Sequence, residues 1–408
     1  MGSNCYCKYS SDPGSVPVPS SDKVMDDSNN VKNIEELNRQ ETYNHIFSLN
    51  KYEVNTVPSN KKEKEKSEDD NNDKNKLLID ISNFDNIISS YSKVISEEKF
   101  FNDINIKIKE IESKFGEINK SRKDDYLNNK KENIIYRPPI SFKKNNKYFG
   151  SWNPNSIKKE GWGIFVDKDG NKYEGGWEND IIDGYGRIIS INGDFYEGQI
   201  IKGIIEGNGL FYSQEKKMLY QGQFKNNLFE GKGEQNFENF GNEITYEGMF
   251  KKGKREGKGK ILYGDGNMYE GEFFDDKFNG DGTFKWKDGR IYKGKWKDNQ
   301  MNGKGIFKWD NNTFYEGDYI DNRREGFGFY HFSETSYYEG KWFNNMPHGK
   351  GKLVKDGTVL EGLFRFGNII KNKSNKNCEN NTGKIMNIEF KNEKKNDRIL
   401  KNKKNSLK

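Results

Sequence analysis

The chain has 408 residues, 31% hydrophobic and 32% charged, with a formal net charge of +6 at pH 7. So polar a composition excludes one large hydrophobic core, and no run approaches the ~18–20 apolar residues of a membrane-spanning helix. Cys5, Cys7 and Cys378 make no disulfide framework and fit a reducing cytosol, and Met1-Gly2-Ser3-Asn4-Cys5-Tyr6 lacks the apolar core of a secretory signal.

Residues 1–76 are rich in Ser, Asn, Asp and Lys and read as a disordered N-terminal region. Their tip is an exception. Gly2 follows Met1, with Cys5 and Cys7 close behind, the arrangement used for N-myristoylation with adjacent S-palmitoylation. One myristoyl chain binds a membrane only marginally, and a second acyl chain makes attachment stable. Tyr6 stands where Ser or Thr is usual. The alternative is a chance glycine and two idle thiols.

Residues 77–135 form a second region, read as an amphipathic helix or short coiled coil. Phe84, Ile88, Tyr91 and Ile95 follow a helical 4-3-4 rhythm, and Ile104, Ile108, Ile111, Phe115 and Ile118 resume it after a phase shift near Phe100-Phe101. Packing against a sheet and pairing with a partner helix are equal readings of this stripe. Pro138-Pro139 separates it from the remainder of the chain.

From residue 140 to 366 a unit of about 23 residues recurs, an internal repeat that decides the architecture. It reads Tyr-Glu-Gly-x-Trp/Phe, a polar stretch, then Gly-x-Gly and an apolar residue. Its tyrosines are Tyr148, Tyr173, Tyr196, Tyr220, Tyr246, Tyr269, Tyr292, Tyr315 and Tyr338, and a tenth copy at Leu360-Glu361-Gly362 has lost its tyrosine, as a terminal cap would. Alternate residues of a strand share a face, so each unit reads as a β-hairpin with aromatics and glycines on one side and charges on the other. The packing set is Tyr173, Gly175 and Trp177; Tyr269, Gly271 and Phe273; Tyr292, Gly294 and Trp296; Tyr315 and Gly317; Tyr338, Gly340 and Trp342. Glycine lets a neighbouring ring lie flat on the backbone. Polar stretches such as Lys297 to Asn302 have hairpin-loop length, and Asp265-Gly266-Asn267 and Asp288-Gly289-Arg290 carry turn chemistry between units. A hairpin alone is marginal, so each copy needs its neighbours. The expected fold is all-β: an elongated single-layer antiparallel sheet of about nine to ten hairpins, a rod on the order of 85 Å long. The aromatic stripe needs a cover, from the 84–118 helix, a second array or a partner helix.

These residues resemble MORN (membrane occupation and recognition nexus) repeats over Tyr148 to about Phe366. Phe149, Gln221 and Lys293 replace the usual glutamate, and Ile200 the aromatic. The resemblance implies a twisted antiparallel sheet with a scaffold role at membranes or cytoskeleton, in some members with phosphoinositide binding or homodimerisation.

No catalytic constellation is found. His45, His331 and His348 have no partner at metal-ligand spacing, so no metal or cofactor is expected. The Gly-x-Gly steps recur between turns and strands and are repeat architecture, not phosphate loops. The glutamates Glu174, Glu197, Glu247, Glu270, Glu316, Glu339 and Glu361 read as a solvated acidic ladder, not a shaped acid–base site. Lysine-rich turns, Lys251, Lys252, Lys254 and Arg255, and the set Lys293, Lys295 and Lys297, are candidate contacts to acidic phospholipid headgroups. Residues 367–408 are a basic disordered tail: from Arg365 onward there are 13 Lys/Arg against 4 Asp/Glu.

The expected function is therefore a non-enzymatic scaffold, acyl-anchored to the cytoplasmic face of the plasma membrane or a cortical membrane or cytoskeleton, presenting the array to protein partners. A phosphoinositide-binding module and a targeting subunit of an enzyme complex are the alternatives. No nucleic-acid partner is expected.

Overall fold

The computed structural model describes residues 92–128, 134–142, 145–238 and 243–372. The acylation tip, His45, the Phe84–Tyr91 stripe and most of the basic tail lie outside them. The described residues fall into two compact units, one ending at Lys254 and one starting at Arg255.

The first unit opens with β1 (Ser92–Val94), then α1 (Glu97–Asn102), α2 (Ile106–Phe115) and α3 (Lys120–Asn128), and continues as a meander from β2 (Ile135–Phe142) to β11 (Ile244–Lys251). The second runs from β12 (Lys254–Tyr263) to β22 (Asn368–Asn372). Within each unit consecutive strands pair antiparallel, as short tight turns require.

Three expectations change here. The helical stripe is not one helix. Its described part opens with β1, paired with β2, and continues as three short helices. Ser96 caps α1 and Asn105 caps α2 through their side-chain oxygens, and Gly116 (φ 75°) stops α2. The phase shift near Phe100-Phe101 marks the α1–α2 break. Secondly, Pro138-Pro139 lies inside β2, at a register shift between Arg137 and Ile140. Proline fits a strand at such an irregularity because no ladder N–H is needed there, so β2 joins the helical region to the meander instead of separating them. Thirdly, the polar stretch Lys297–Asn302 is mostly strand. β15 (Ile291–Lys297) and β16 (Gln300–Lys308) are joined by Asp298 and Asn299 alone, with φ 48° and 65°. Two residues at positive φ make a type I′ turn, whose twist matches that of paired strands and which favours Asn and Asp. The same geometry recurs at Asn179-Asp180, Asn226-Asn227, Asp275-Asp276, Asp321-Asn322 and Asn344-Asn345.

These turns also tie neighbouring repeats together. The Asn299 side-chain oxygen accepts the Phe278 N–H at 2.7 Å, while the Asn299 N–H donates to the Phe278 carbonyl at 3.1 Å. Asn322 does the same to Met301, and Asn345 to Arg324. Each turn thus satisfies the backbone of the repeat before it.

Candidate interaction surface

The aromatic face closes on itself. In the pair β15–β16, Gly294 lies opposite Gly305. A Cβ on Gly305 would sit 2.4 Å from the Tyr292 hydroxyl oxygen and 2.6 Å from its ring, so the ring occupies the space that a side chain would need. The two glycines of Gly-x-Gly have separate jobs. Gly303, at φ 93°, supplies the left-handed backbone of a bulge, and Gly305 supplies the seat for the ring. The Tyr292 hydroxyl donates to the Lys295 carbonyl at 2.9 Å, and each described repeat tyrosine from Tyr148 to Tyr338 makes this bond to the carbonyl three residues on. Trp296 stands edge-on to Tyr292 at 5.1 Å, and its indole N–H donates to the Gly282 carbonyl at 3.1 Å. Tyr269, Tyr292, Tyr315 and Tyr338 are 0% exposed with no second layer upon them among the described residues. Tyr173 with Trp177 and Tyr338 with Trp342 form the same edge-on pair, and Phe273 stands in that place beside Tyr269. Gly175, Gly271, Gly317 and Gly340 each underlie the hydroxyl end of their repeat's tyrosine. The cover expected for this stripe is therefore not needed.

Burial pushes the hydroxyls of Tyr196, Tyr220, Tyr269, Tyr292, Tyr315 and Tyr338 well above the ordinary phenol value. A phenol raised above its unfolded value of about 10 holds its proton more tightly in the native state. Its stabilisation is complete below about pH 10 and is lost as pH rises toward the folded value. The melting temperature should therefore fall steeply above about pH 10, with phenolate absorbance appearing only as the chain unfolds. Phenolate that titrates near its ordinary value in the folded protein would contradict this.

Three cations are sunk into the same face, at a position apolar in most repeats (Ile182, Ile205, Phe229, Phe278, Met301). Lys159 (2% exposed) pairs with Asp180 at 3.1 Å, and Arg255 (0%) with Asp276 at 3.2 Å. Arg324 (4%) has no carboxylate partner among the described residues, because Asn345 stands where Asp180 and Asp276 do. Its guanidinium lies 4.6 Å from the Trp342 ring centroid and within 6 Å of Trp309, Tyr315 and Tyr330. Arg255 thus faces inward and is not placed to meet a lipid headgroup. The sequence signal for all three was a charge at a regular apolar position, with an acid one repeat onward for two of them.

The opposite face differs between the units. In the first, α1–α3 cover it. Phe100, Ile104, Ile108 and Ile111 pack on Phe149, Val166, Ile189, Phe195 and Tyr212, and Phe115 stacks on Phe195 at 4.4 Å. Phe149 and Phe195 flank Tyr148 and Tyr196 and so project away from the tyrosine side. Of the two packing and pairing readings, the described part of the stripe takes the first. Two rungs of the acidic ladder are half-buried there, correcting their reading as solvated. Glu197 accepts from Arg187, from the Tyr185 hydroxyl and from the Asn119 N–H, and Glu174 accepts from Lys172 at 3.1 Å. Glu247, Glu270, Glu316, Glu339 and Glu361 are exposed.

In the second unit this face is a groove of about 840 Å³, floored by Gly282, Gly294, Gly305, Gly317 and Gly328. Its sides carry both signs, Glu270, Asp281 and Glu316 with Lys293 and Lys304, together with Ile306, Phe327 and Phe329. Lys293, Lys295 and Lys297 are exposed on this side, and Lys295 pairs with Asp281 at 2.8 Å. Lys251, Lys252 and Lys254 are exposed in the first unit. Among the described residues no helix is long and apolar enough to cross a membrane, and no group of three or more His, Cys, Asp or Glu is placed to hold a metal ion.

A comparison with protein families matches the MORN repeat at residues 173–195, 196–215, 220–240, 246–268, 269–289, 292–314, 315–335 and 338–359. A comparison with curated proteins finds no match. Among solved structures the chain is similar to the SAS-4 (dCPAP) TCP domain of Drosophila melanogaster, solved in complex with a proline-rich motif of Ana2 (dSTIL). That similarity has 17% identity and a TM-score of 0.25, and covers 37% of this chain and 83% of that one. Eight consecutive matches, each one hairpin long and in phase with the tyrosine–glycine seats, identify the array between residues 173 and 359 as MORN repeats, a non-catalytic repeat domain.

Proposed function

We propose that the chain is a non-enzymatic scaffold, acyl-anchored through Gly2, Cys5 and Cys7 to the cytoplasmic face of a membrane, which presents the second unit to protein partners. The observation that supports it is the difference between the two glycine-floored faces. Among the described residues, helices cover one, and the other is open over β14 (Lys277–Lys285) to β18 (Arg323–Ser333). A groove with mixed charge and exposed Phe327 suits a protein surface better than an anionic bilayer, which favours a single positive sign.

The anchor is tested by fractionating cells that express the full chain and its Gly2→Ala variant. Loss of the myristoyl amide also removes the membrane residence that palmitoylation of Cys5 and Cys7 requires, so the variant should move to the soluble fraction. Unchanged membrane recovery would overturn the anchor. Flotation of that variant with vesicles containing phosphoinositide would move the reading to the lipid-binding alternative.

A further inference from the structure

The second unit repeats, position for position, the seat that α2 fills in the first. In the first unit Phe195 lies opposite Tyr212, Leu210 opposite Glu197, and Leu219 opposite Tyr212. In the second, Phe314 lies opposite His331, Phe329 opposite Glu316, and Tyr337 opposite His331. The occupied seat is dry. Phe195 and Tyr212 are 0% and 1% exposed because Phe115 stacks on one and tilts against the other at 5.2 Å. The second seat has no such visitor among the described residues. Phe314, Phe329, His331 and Tyr337 are half-buried and stack on one another, with Phe314–His331 and Phe329–Tyr337 both at 5.0 Å. Beside them Phe327 is 52% exposed, at the place held by Asn208 in the first unit.

The polar partners of the seat are partly kept and partly changed. Glu197 accepts the N–H of Asn119, just beyond α2, and Glu316 offers the same acceptor in the second unit. Lys172 pairs with Glu112 of α2, and Arg187 donates to the Gly116 carbonyl at its end. Ile291 and Ile306 stand at those two positions in the second unit. A ligand for the second seat would meet isoleucine where α2 meets cations, so a charge at the Glu112 position would be buried unpaired.

We propose that this seat binds an amphipathic α-helix of a protein partner, with an aromatic residue in its last turn stacked on Phe314 and His331, and an aliphatic residue where α2 carries Glu112. The proposal rests on the scaffold reading and adds the chemistry of the ligand.

The test uses the full chain and a synthetic peptide of residues 104–119, carrying a photo-reactive benzoylphenylalanine in place of Phe115 and the Glu112→Leu change. Cross-linking should fall on residues 314–337, and should drop at least about tenfold in Phe329→Ser and in Phe327→Ala, since burying one aromatic ring is worth about 1.5–3 kcal/mol. The exposed Phe327 keeps the test sound should Phe329→Ser disturb folding. The peptide that retains Glu112 should label more weakly. Labelling confined to residues 195–219, spread along the array, or unaffected by both variants would overturn the proposal. So would a dimer of the chain that Phe327→Ala dissolves, which would put a second copy in the seat. Release of Gly2→Ala from membranes alongside such a result would leave the scaffold reading standing and remove only the seat.

Discussion

Replacing Gly305 with alanine is expected to cost about 3–5 kcal/mol, the range for losing a buried aromatic ring from its packing. The added Cβ would lie 2.4 Å from the Tyr292 hydroxyl and 2.6 Å from two ring carbons, so the ring must leave its seat. With it go the bond to the Lys295 carbonyl and the edge contacts to Trp296 and Tyr319. Gly289→Ala supplies the control. A Cβ there meets nothing within 4 Å, and only the φ of 94° opposes it, for about 1–2 kcal/mol. In a repeat array the damage should be local. Hydrogen exchange should quicken across β15 and β16 while amides of the first unit keep their protection. Equal losses for the two variants would mean that the ring does not depend on the missing Cβ.

The second large effect is expected at Arg255. Its Arg255→Met variant removes a cation that pairs with Asp276 at 3.2 Å, beside a carboxylate that is 7% exposed. Breaking a buried pair from one side typically costs about 3–5 kcal/mol. The array carries its own remedy. At the same position in the next two repeats along the chain stand Phe278 with Asn299 and Met301 with Asn322, neutral pairs that keep the turn-to-backbone clamp. Adding Asp276→Asn to Arg255→Met should therefore restore most of the lost stability, because the Oδ1 acceptor for the Arg255-position N–H remains. Chemical denaturation of the two single variants and the double variant measures this directly. A double variant no more stable than Arg255→Met would show that the cation acts through packing on Phe273, from which its guanidinium lies 5.9 Å, and not through charge.

The fold was legible because its determinants are local. Alternation along Tyr292-Lys293-Gly294-Lys295-Trp296 assigns faces without knowledge of any distant residue, and the repeat fixes which strands neighbour one another. The seat of Tyr292 on Gly305 emerges once two copies are placed in phase. The type I′ turns were less legible. Asp298-Asn299 is a strong turn pair, but in an Asn/Lys-rich stretch it has many competitors, and only the register shows where the strand resumes.

What the sequence by itself determined is thus the hairpin array and the identity of its packing residues, since strand period and repeat period are properties of the chain alone. Tertiary structure decided which face needed covering. The rings lie flat over glycine and shield one another, so the aromatic stripe is closed, and the apolar residues beside Phe149 and Phe195 on the reverse face attract α1–α3 instead. It also decided that Lys159, Arg255 and Arg324 turn inward, because the acid or the rings that hold each cation come from residues up to some twenty positions away. Such pairings exist only after neighbouring repeats stack, and no local pattern carries them.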